Sequence, residues 1–380
     1  MNKYVKKLAL KAPYIKRYYE EFERLYSMRS RGLKYHSCRN IENIQLEFKG
    51  NIDTEKNLLT FCSEPYIENL PRFALCETAE ETIKNFIKGR AERIAQSIKV
   101  SLLERYAADE DRKLPSGCAK CPQFCLNNWE GGDGLIHQIT LNMYPSPCQC
   151  KCIYCTVARD LGQRQITAES KKNYEKLFDI IDWVQKNGMI SRNFMWYVAC
   201  GEITIHPFKD RIFSLMKGQP AIFTTNNFIY DEKIAENLAL NPQSRIKVSV
   251  DSGTPETWYK VKGVNNFDTV IENLAKYLAS GTRPEQIQLK YILLPGINDN
   301  LEDYRAIIEI MTKRLKVGFM MISADNHNFF QRESIIRPAG YLLAMLRKNK
   351  ISEFFTEQFF PDELEKINSL ADELLNSGVV

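Results

Sequence analysis

From about residue 137 the apolar and polar positions fall into a repeating order, a short apolar run followed by a longer stretch with apolar residues three and four apart. The short runs are 137–144 (HQITLNMY), 193–199 (NFMWYVA), 221–226 (AIFTTN), 245–250 (RIKVSV), 286–294 (QIQLKYILL) and 318–324 (GFMMISA). Helices are expected near 168–187, 207–217, 231–239, 266–279 and 301–315. Six strand-and-helix units in strict alternation predict an α/β protein with a parallel sheet and right-handed crossovers. The unbroken run FMWYVA suits a strand buried on both faces. Upstream, Pro13 opens an amphipathic helix over 13–30, with Ile15, Tyr18, Phe22 and Leu25 on one side. Residues 39–75 are irregular and interrupted by Pro65 and Pro71. A long helix is expected over 78–107, where Thr78 and Glu81 have the spacing of a capping box. Beyond residue 325 the chain adds helices, with Phe359, Leu364, Ile367 and Leu370 at helical intervals.

Composition narrows the class. The chain has 380 residues, 44% of them hydrophobic and 26% charged, which is the range of an ordinary globular protein. No run reaches the ~18 apolar residues of a membrane helix. Lysines and Pro13 interrupt the N-terminus before an apolar signal region forms, so a cytoplasmic protein is expected. The net charge of +5 is mixed along the sequence and points to neither a nucleic-acid nor a membrane surface. The 11 cysteines are the informative residues. Seven of them, Cys118, Cys121, Cys125, Cys148, Cys150, Cys152 and Cys155, are crowded into one segment, and none follows Cys200. In a reducing compartment such short spacings indicate metal ligation rather than disulfides.

Ligands of parallel α/β folds gather at the carboxyl ends of the strands. Here the expected strand ends carry Cys148–Cys155, Cys200-Gly201-Glu202, Thr225-Asn226-Asn227, Asp251-Ser252-Gly253 and Pro295–Asp299. Any one of these loops reads as an ordinary turn; together, behind a cysteine triad, they mark a site. Cys148, Cys152 and Cys155 form C-x3-C-x2-C, and three thiolates hold three irons of a cubane cluster while the fourth stays open. Zinc remains an alternative at this point, because Cys150 is available as the fourth ligand of a closed structural site. Upstream, Cys118, Cys121 and Cys125 form C-x2-C-x3-C. They read as an auxiliary iron–sulfur cluster, as a zinc site completed by His137 or Cys150, or as free buried thiols. Cys38, Cys62 and Cys76 are isolated and read as small buried side chains. His137 and His327 stand in no catalytic arrangement.

These residues resemble the radical S-adenosylmethionine (radical SAM) superfamily over about 137–325. The resemblance implies a partial (β/α)6 barrel over 137–325, with an α-rich N-terminal extension (1–117), a cysteine-rich segment (118–136) and C-terminal helices (326–380). It implies a 4Fe–4S cluster on Cys148, Cys152 and Cys155, and S-adenosylmethionine on the open iron. One electron then yields a 5′-deoxyadenosyl radical that abstracts hydrogen from the substrate. Carried over by position, Tyr154 lies beside the adenine, and Gly201 with Glu202 holds the methionine amino group. Ser249 and Asp251 contact the ribose or the methionyl carboxylate, Thr225 and Asn226 face the ligand, and Leu294 with Pro295 packs on adenine. Cys200 stands where the family usually has glycine, either filling space or returning a hydrogen atom to the product radical. The implied partners are an electron donor such as flavodoxin or ferredoxin and a carbohydrate, nucleotide-linked or peptide substrate. The lack of cysteine after Cys200 excludes the C-terminal auxiliary-cluster module and the late acceptor cysteine of RNA-modifying methyl synthases. The first 117 residues lack a βαβ pattern, which argues against a cobalamin domain. The competing class is a non-catalytic iron–sulfur or zinc protein, an electron carrier or scaffold, which would need four cysteines per centre.

Overall fold

The computed structural model describes residues 34–51, 56–62, 72–103, 118, 124–129, 133–143, 145–155, 166–199, 201–325, 333–356 and 359–380. The helix expected over 13–30 lies outside them. The chain divides into two compact units, Met1–Pro145 with Ile166–Tyr197, and Ser146–Gln165 with Val198–Val380. Among the described residues no helix is long and apolar enough to cross a membrane.

In the first unit the elements are β1 (Tyr35–Ser37), β2 (Gln45–Asn51), β3 (Lys56–Thr60), β4 (Phe73–Ala74), α1 (Ala79–Leu103), β5 (Cys125–Asn127), β6 (Ile136–Asn142), α2 (Ala168–Lys186) and β7 (Ile190–Val198). In the described part of the expected extension over 1–117, the long helix α1 stands beside four short-to-medium strands that the sequence did not announce. β2 pairs in parallel with β6, from Gln45 opposite Gln138 to Lys49 opposite Asn142, and antiparallel with β3. Leu46 and Phe48, two residues apart and fully buried, supply the strand period that the prolines obscured. β1 pairs antiparallel with β5, which is remote in sequence, Tyr35 opposite Asn127. Thr78 caps α1 as expected, accepting from Glu81 N at 3.2 Å. In β7, Phe194, Trp196 and Val198 are buried while Met195 and Tyr197 are half-buried. That strand is thus closed on one face rather than on both.

The second unit carries α3 (Lys209–Met216), β8 (Ala221–Thr225), α4 (Glu232–Leu240), β9 (Arg245–Ser249), α5 (Pro255–Lys262), α6 (Phe267–Ala279), β10 (Ile287–Leu293), α7 (Leu301–Glu309), β11 (Phe319–Ala324), α8 (Glu333–Lys348), β12 (Ser352–Phe355) and α9 (Pro361–Asn376). β8, β9, β10, β11 and β12 are paired in parallel in that order, an open α/β arrangement consistent with a partial barrel. Burial alternates along each strand. Phe223, Ile246, Val248, Leu289 and Tyr291 are 0% exposed and face the helices; Phe223 stacks on Phe213 of α3, and Tyr291 meets Tyr304 of α7 edge to face at 5.7 Å. Two elements were not anticipated. Helix α5 is capped by Thr254, has Pro255 at its first position and stops at Gly263, with φ +67°. Strand β12 interrupts the expected C-terminal helices and extends the sheet beyond β11.

Candidate functional site at the strand ends

The cysteine segment 146–155 has no regular structure of its own and is stitched to the strand ends of the second unit. Glu202 N donates to Pro147 O (2.8 Å), Lys151 N to Lys262 O (2.9 Å) and Ile153 N to Val261 O (3.0 Å). Asn226 Nδ2 reaches Gln149 Oε1 at 2.8 Å and Cys148 Sγ at 3.7 Å. Gly201 makes the first of these approaches feasible. Its φ is +63°, and a Cβ there would lie 2.7 Å from the backbone oxygens of Ser146 and Pro147.

Cys148, Cys152 and Cys155 are half-buried and form no disulfide, whereas Cys150 is buried. The Cys150 thiol lies between Cys148 and Cys152, and its one proton is shared between their sulfurs. That donation, against the cost of burial, lowers Cys148 to about 7. It lowers Cys152 to about 6, with the Lys262 ammonium contributing. The Cys150 thiol itself is pushed far up. Two of the three triad cysteines are thus poised toward the thiolate that a metal takes.

Behind the loop sits a buried ionic cluster that the sequence did not disclose. Asp251 is 0% exposed and Lys262 3%. Lys262 Nζ pairs with Asp251 Oδ2 and lies 2.6 Å from Tyr154 Oη, and Tyr154 Oη donates to Asp251 Oδ2 at 2.7 Å. The other carboxylate oxygen accepts from Ile292 N at 2.6 Å. Burial would depress the Lys262 ammonium, but the adjacent Asp251 carboxylate outweighs it and the group is raised. Burial first, and then Asp251, hold the Tyr154 phenol well above its ordinary range, so it stays protonated. Asn298 completes the assembly: its side-chain amide donates to Asp251 O and Ile292 O, each at 2.8 Å. Asn298 falls in the strand-end loop Pro295–Asp299 that the sequence marked, whereas Lys262 was missed because only the fold brings the end of α5 to the end of β9.

Glu202 is fully buried. Its carboxylate accepts from Thr204 N (3.1 Å), Thr204 Oγ1 (2.7 Å), Thr225 Oγ1 (2.8 Å) and Asn226 N (2.6 Å). Three of these donors lie on Oε1 and Asn226 N lies on Oε2, which the Thr225 hydroxyl also approaches at 2.9 Å. Burial raises its pKa against the lowering effect of those bonds. In this arrangement Glu202 ties its own loop to the end of β8. Leu294 is fully buried and packs with Val261 and Ile292 against Ile153 and Tyr154 of the loop. Ser249 is half-buried on β9, on the side away from the helices. Cys200 lies outside the described residues.

The upstream cysteines are less complete. Cys118 is buried, and the Arg93 guanidinium donates to its sulfur at 2.9 Å. Cys125 is exposed on β5, and Cys121 lies outside the described residues. His137 Nε2 is 2.9 Å from Asp133 Oδ1, and Cys150 is engaged by its neighbours, so both residues offered as a fourth zinc ligand have other partners. Cys38 and Cys62 are buried as expected. Cys76 is half-exposed instead, its sulfur accepting from Asn85 Nδ2 at 3.5 Å beside the start of α1.

The donor set fits an iron–sulfur cluster. Among the described residues no three His, Cys, Asp or Glu side chains converge on a point where one ion would be held. A cubane needs no such convergence, because each thiolate binds a separate iron.

The model of the radical SAM superfamily matches residues 147–310. Similar curated proteins are GTP 3′,8-cyclases. That of Clostridium botulinum is 21% identical over 160 residues, 41% of this chain and 48% of that protein. Those of Geobacter sulfurreducens and Petrotoga mobilis are 24% and 25% identical, over 45% and 47% of their lengths and 40% and 41% of this chain. The chain therefore spans about half the length of the curated relatives it matches. Among solved structures, Streptococcus suis SuiB bound to S-adenosylmethionine is similar at a TM-score of 0.44 and 15% identity, over 85% of this chain and 71% of that one. A radical SAM methyltransferase from Sphaerobacter thermophilus is similar at 0.39 and 16% identity, over 55% of this chain and 62% of that one. The family match opens at Pro147, immediately before the triad, and runs past Asn298, so it takes in the triad and the strand ends that hold its loop: residues 147–310 of the chain carry a radical SAM superfamily domain.

Proposed function

We propose that the protein is an enzyme that cleaves S-adenosylmethionine reductively and starts a radical reaction on a carbohydrate, nucleotide-linked or peptide substrate. The observation that supports this most is the cysteine loop itself, whose anchors to α5 and to the ends of β7, β8 and β9 are independent of its three triad thiols. When bound on Cys148, Cys152 and Cys155, a 4Fe–4S cluster supplies the electron, and S-adenosylmethionine the 5′-deoxyadenosyl group, for hydrogen abstraction. The chain's part is to place them. Tyr154, held by Asp251 and Lys262, fixes the ring between two of the ligand cysteines. Gly201 lets the loop approach the end of β7, and Glu202 braces that end against Thr225 and Asn226. Ser249 and Leu294 flank the same strand ends. A low-potential donor of the flavodoxin or ferredoxin type, met in a reducing cytoplasm, fits this chemistry. Cys118, Cys121 and Cys125 are proposed as a second metal centre, and Cys200 as a small residue beside the chamber.

The test is anaerobic reconstitution followed by dithionite and S-adenosylmethionine, with chromatography for 5′-deoxyadenosine. The wild type should form it. The triple variant Cys148→Ala/Cys152→Ala/Cys155→Ala should form none and should lose the reduced-cluster resonance that S-adenosylmethionine perturbs. An unchanged resonance in the triple variant ends the proposal. Iron and zinc counts on that variant report on the upstream cysteines, because a retained metal belongs to them.

A further inference from the structure

The last strand of a sheet presents a row of unpaired backbone N–H and C=O groups, and folded proteins usually blunt such an edge with proline, lysine or extreme shortness. β4, one terminal strand, is two residues long and follows Pro71 and Arg72 in the sequence. β12, the other terminal strand, has the four residues Ser352-Glu353-Phe354-Phe355, without proline or lysine. Its one charge, Glu353, is held by Arg347 Nε of α8 at 3.3 Å. Ser352 N donates to Gly318 O and Thr356 N to Ile322 O, both at 2.9 Å. Backbone groups of successive strand residues turn to alternate sides, so those of Glu353 and Phe355 point away from β11, where no described strand meets them. The side chains alternate too. Phe355 lies on the helix side and meets Phe359 edge to face at 5.0 Å. Phe354 lies on the other side, opposite Met321 in the register, and is 50% exposed.

An exposed aromatic ring beside unpaired backbone suits a partner that answers both. An extended polypeptide does so, because it repeats amide donors and acceptors at ladder spacing and sets its side chains at alternate positions. A sugar or a nucleotide has neither repeat. A second copy of β12 has the chemistry but not the size, since two outward residues per strand fall far short of the roughly 800 Å² and 20–30 residues per partner of a stable interface. We propose that the substrate is a peptide, bound extended along the edge of β12, paired with the backbone of Glu353 and Phe355 and with an apolar side chain against Phe354 and Met321. β10, β11 and β12 are parallel, so a peptide laid along this edge leads to the carboxyl ends of the strands, where the cofactors are proposed to sit. The inference rests on the enzyme reading above and deepens it by naming the substrate class.

The probe is a displayed library of random dodecapeptides, panned against the whole reconstituted chain loaded with S-adenosylmethionine. Wild-type protein should enrich sequences that alternate apolar and polar residues. Hydrogen exchange with an enriched synthetic peptide should slow the Glu353 and Phe355 amides about tenfold or more and leave the Phe354 amide, already turned to β11, little changed. Methylating the peptide's own amides one at a time should abolish binding at every second position and spare the positions between. Phe354→Lys, which adds the kind of charge that guards other edges, should weaken binding about tenfold or more. No enrichment, an enriched peptide that leaves both amides exchanging as before, or methylation effects without alternation overturns the inference. So does sedimentation that finds a wild-type dimer dissociated by Phe354→Lys, because the edge then belongs to a second copy. Protein that forms 5′-deoxyadenosine but enriches no peptide sinks this inference alone. Protein that binds a peptide along β12 yet forms no 5′-deoxyadenosine retires the enzyme reading and keeps the peptide edge.

Discussion

His206, directly after the short turn that Glu202 caps, is 3% exposed, and its Nδ1 accepts from Phe208 N at 3.2 Å. Only a neutral imidazole accepts there. Burial lowers its pKa from 6.5 to about 4. For a base depressed in the folded state, the stabilisation is present above the unfolded pKa and is lost as pH falls through the window toward the folded value. Between pH 6.5 and about 4 this one residue should therefore cost the protein about 3 kcal/mol. Urea unfolding at a series of pH values checks it. Wild type should lose that much more stability across the window than His206→Gln, and parallel slopes for the two proteins would refute it. At this scale the sequence was legible wherever chemistry is written in spacing, as with the C-x3-C-x2-C triad. It was silent on Lys262, an ordinary lysine by composition that becomes a buried cation only because Asp251 and Tyr154 close around it.

Among the elements, the connection from β9 into α5 is under the tightest steric control. A Cβ on Gly253 would sit 2.0 Å from Asp303 O and 2.7 Å from Ile307 N, both of them α7 backbone that cannot step aside. Asp303 at the same time accepts from Gly253 N, Thr254 N and the hydroxyls of Thr254 and Thr257. Gly253→Ala should thus destabilise by more than about 3 kcal/mol, seen as a lower denaturant midpoint; a midpoint like that of wild type would refute this clash. The six apolar-rich runs of the sequence became β6–β11 because each is a short alternating or continuous apolar signal between turn residues. β1, β4 and β5 were illegible because they span only two or three residues, and the pairing partners of β1–β5 are remote in sequence or set by turns, as when Tyr35 meets Asn127. Helix α5 was readable from Thr254, Pro255 and Gly263, yet its eight residues vanish between two longer signals.

At the scale of the whole molecule, the anchors of the cysteine segment can be set against its ligands. The contacts from Pro147, Lys151, Ile153, Gln149 and Tyr154 to α5 and to the strand ends involve none of the three triad sulfurs. A small zinc finger, by contrast, folds on its metal. Removing iron with a chelator under anaerobic conditions should leave the far-UV circular dichroism unchanged and a single cooperative unfolding transition. The midpoint should fall only by the linkage contribution of the lost cluster, about 2–4 °C per kcal/mol. Loss of cooperativity in the metal-free protein would contradict the independence of those anchors. That stitching gives the molecule a particular kind of resilience. A cluster destroyed by oxygen leaves an intact seat, so the injury is one of missing parts and can be mended by reloading, without the chain having to be unfolded, discarded or made again.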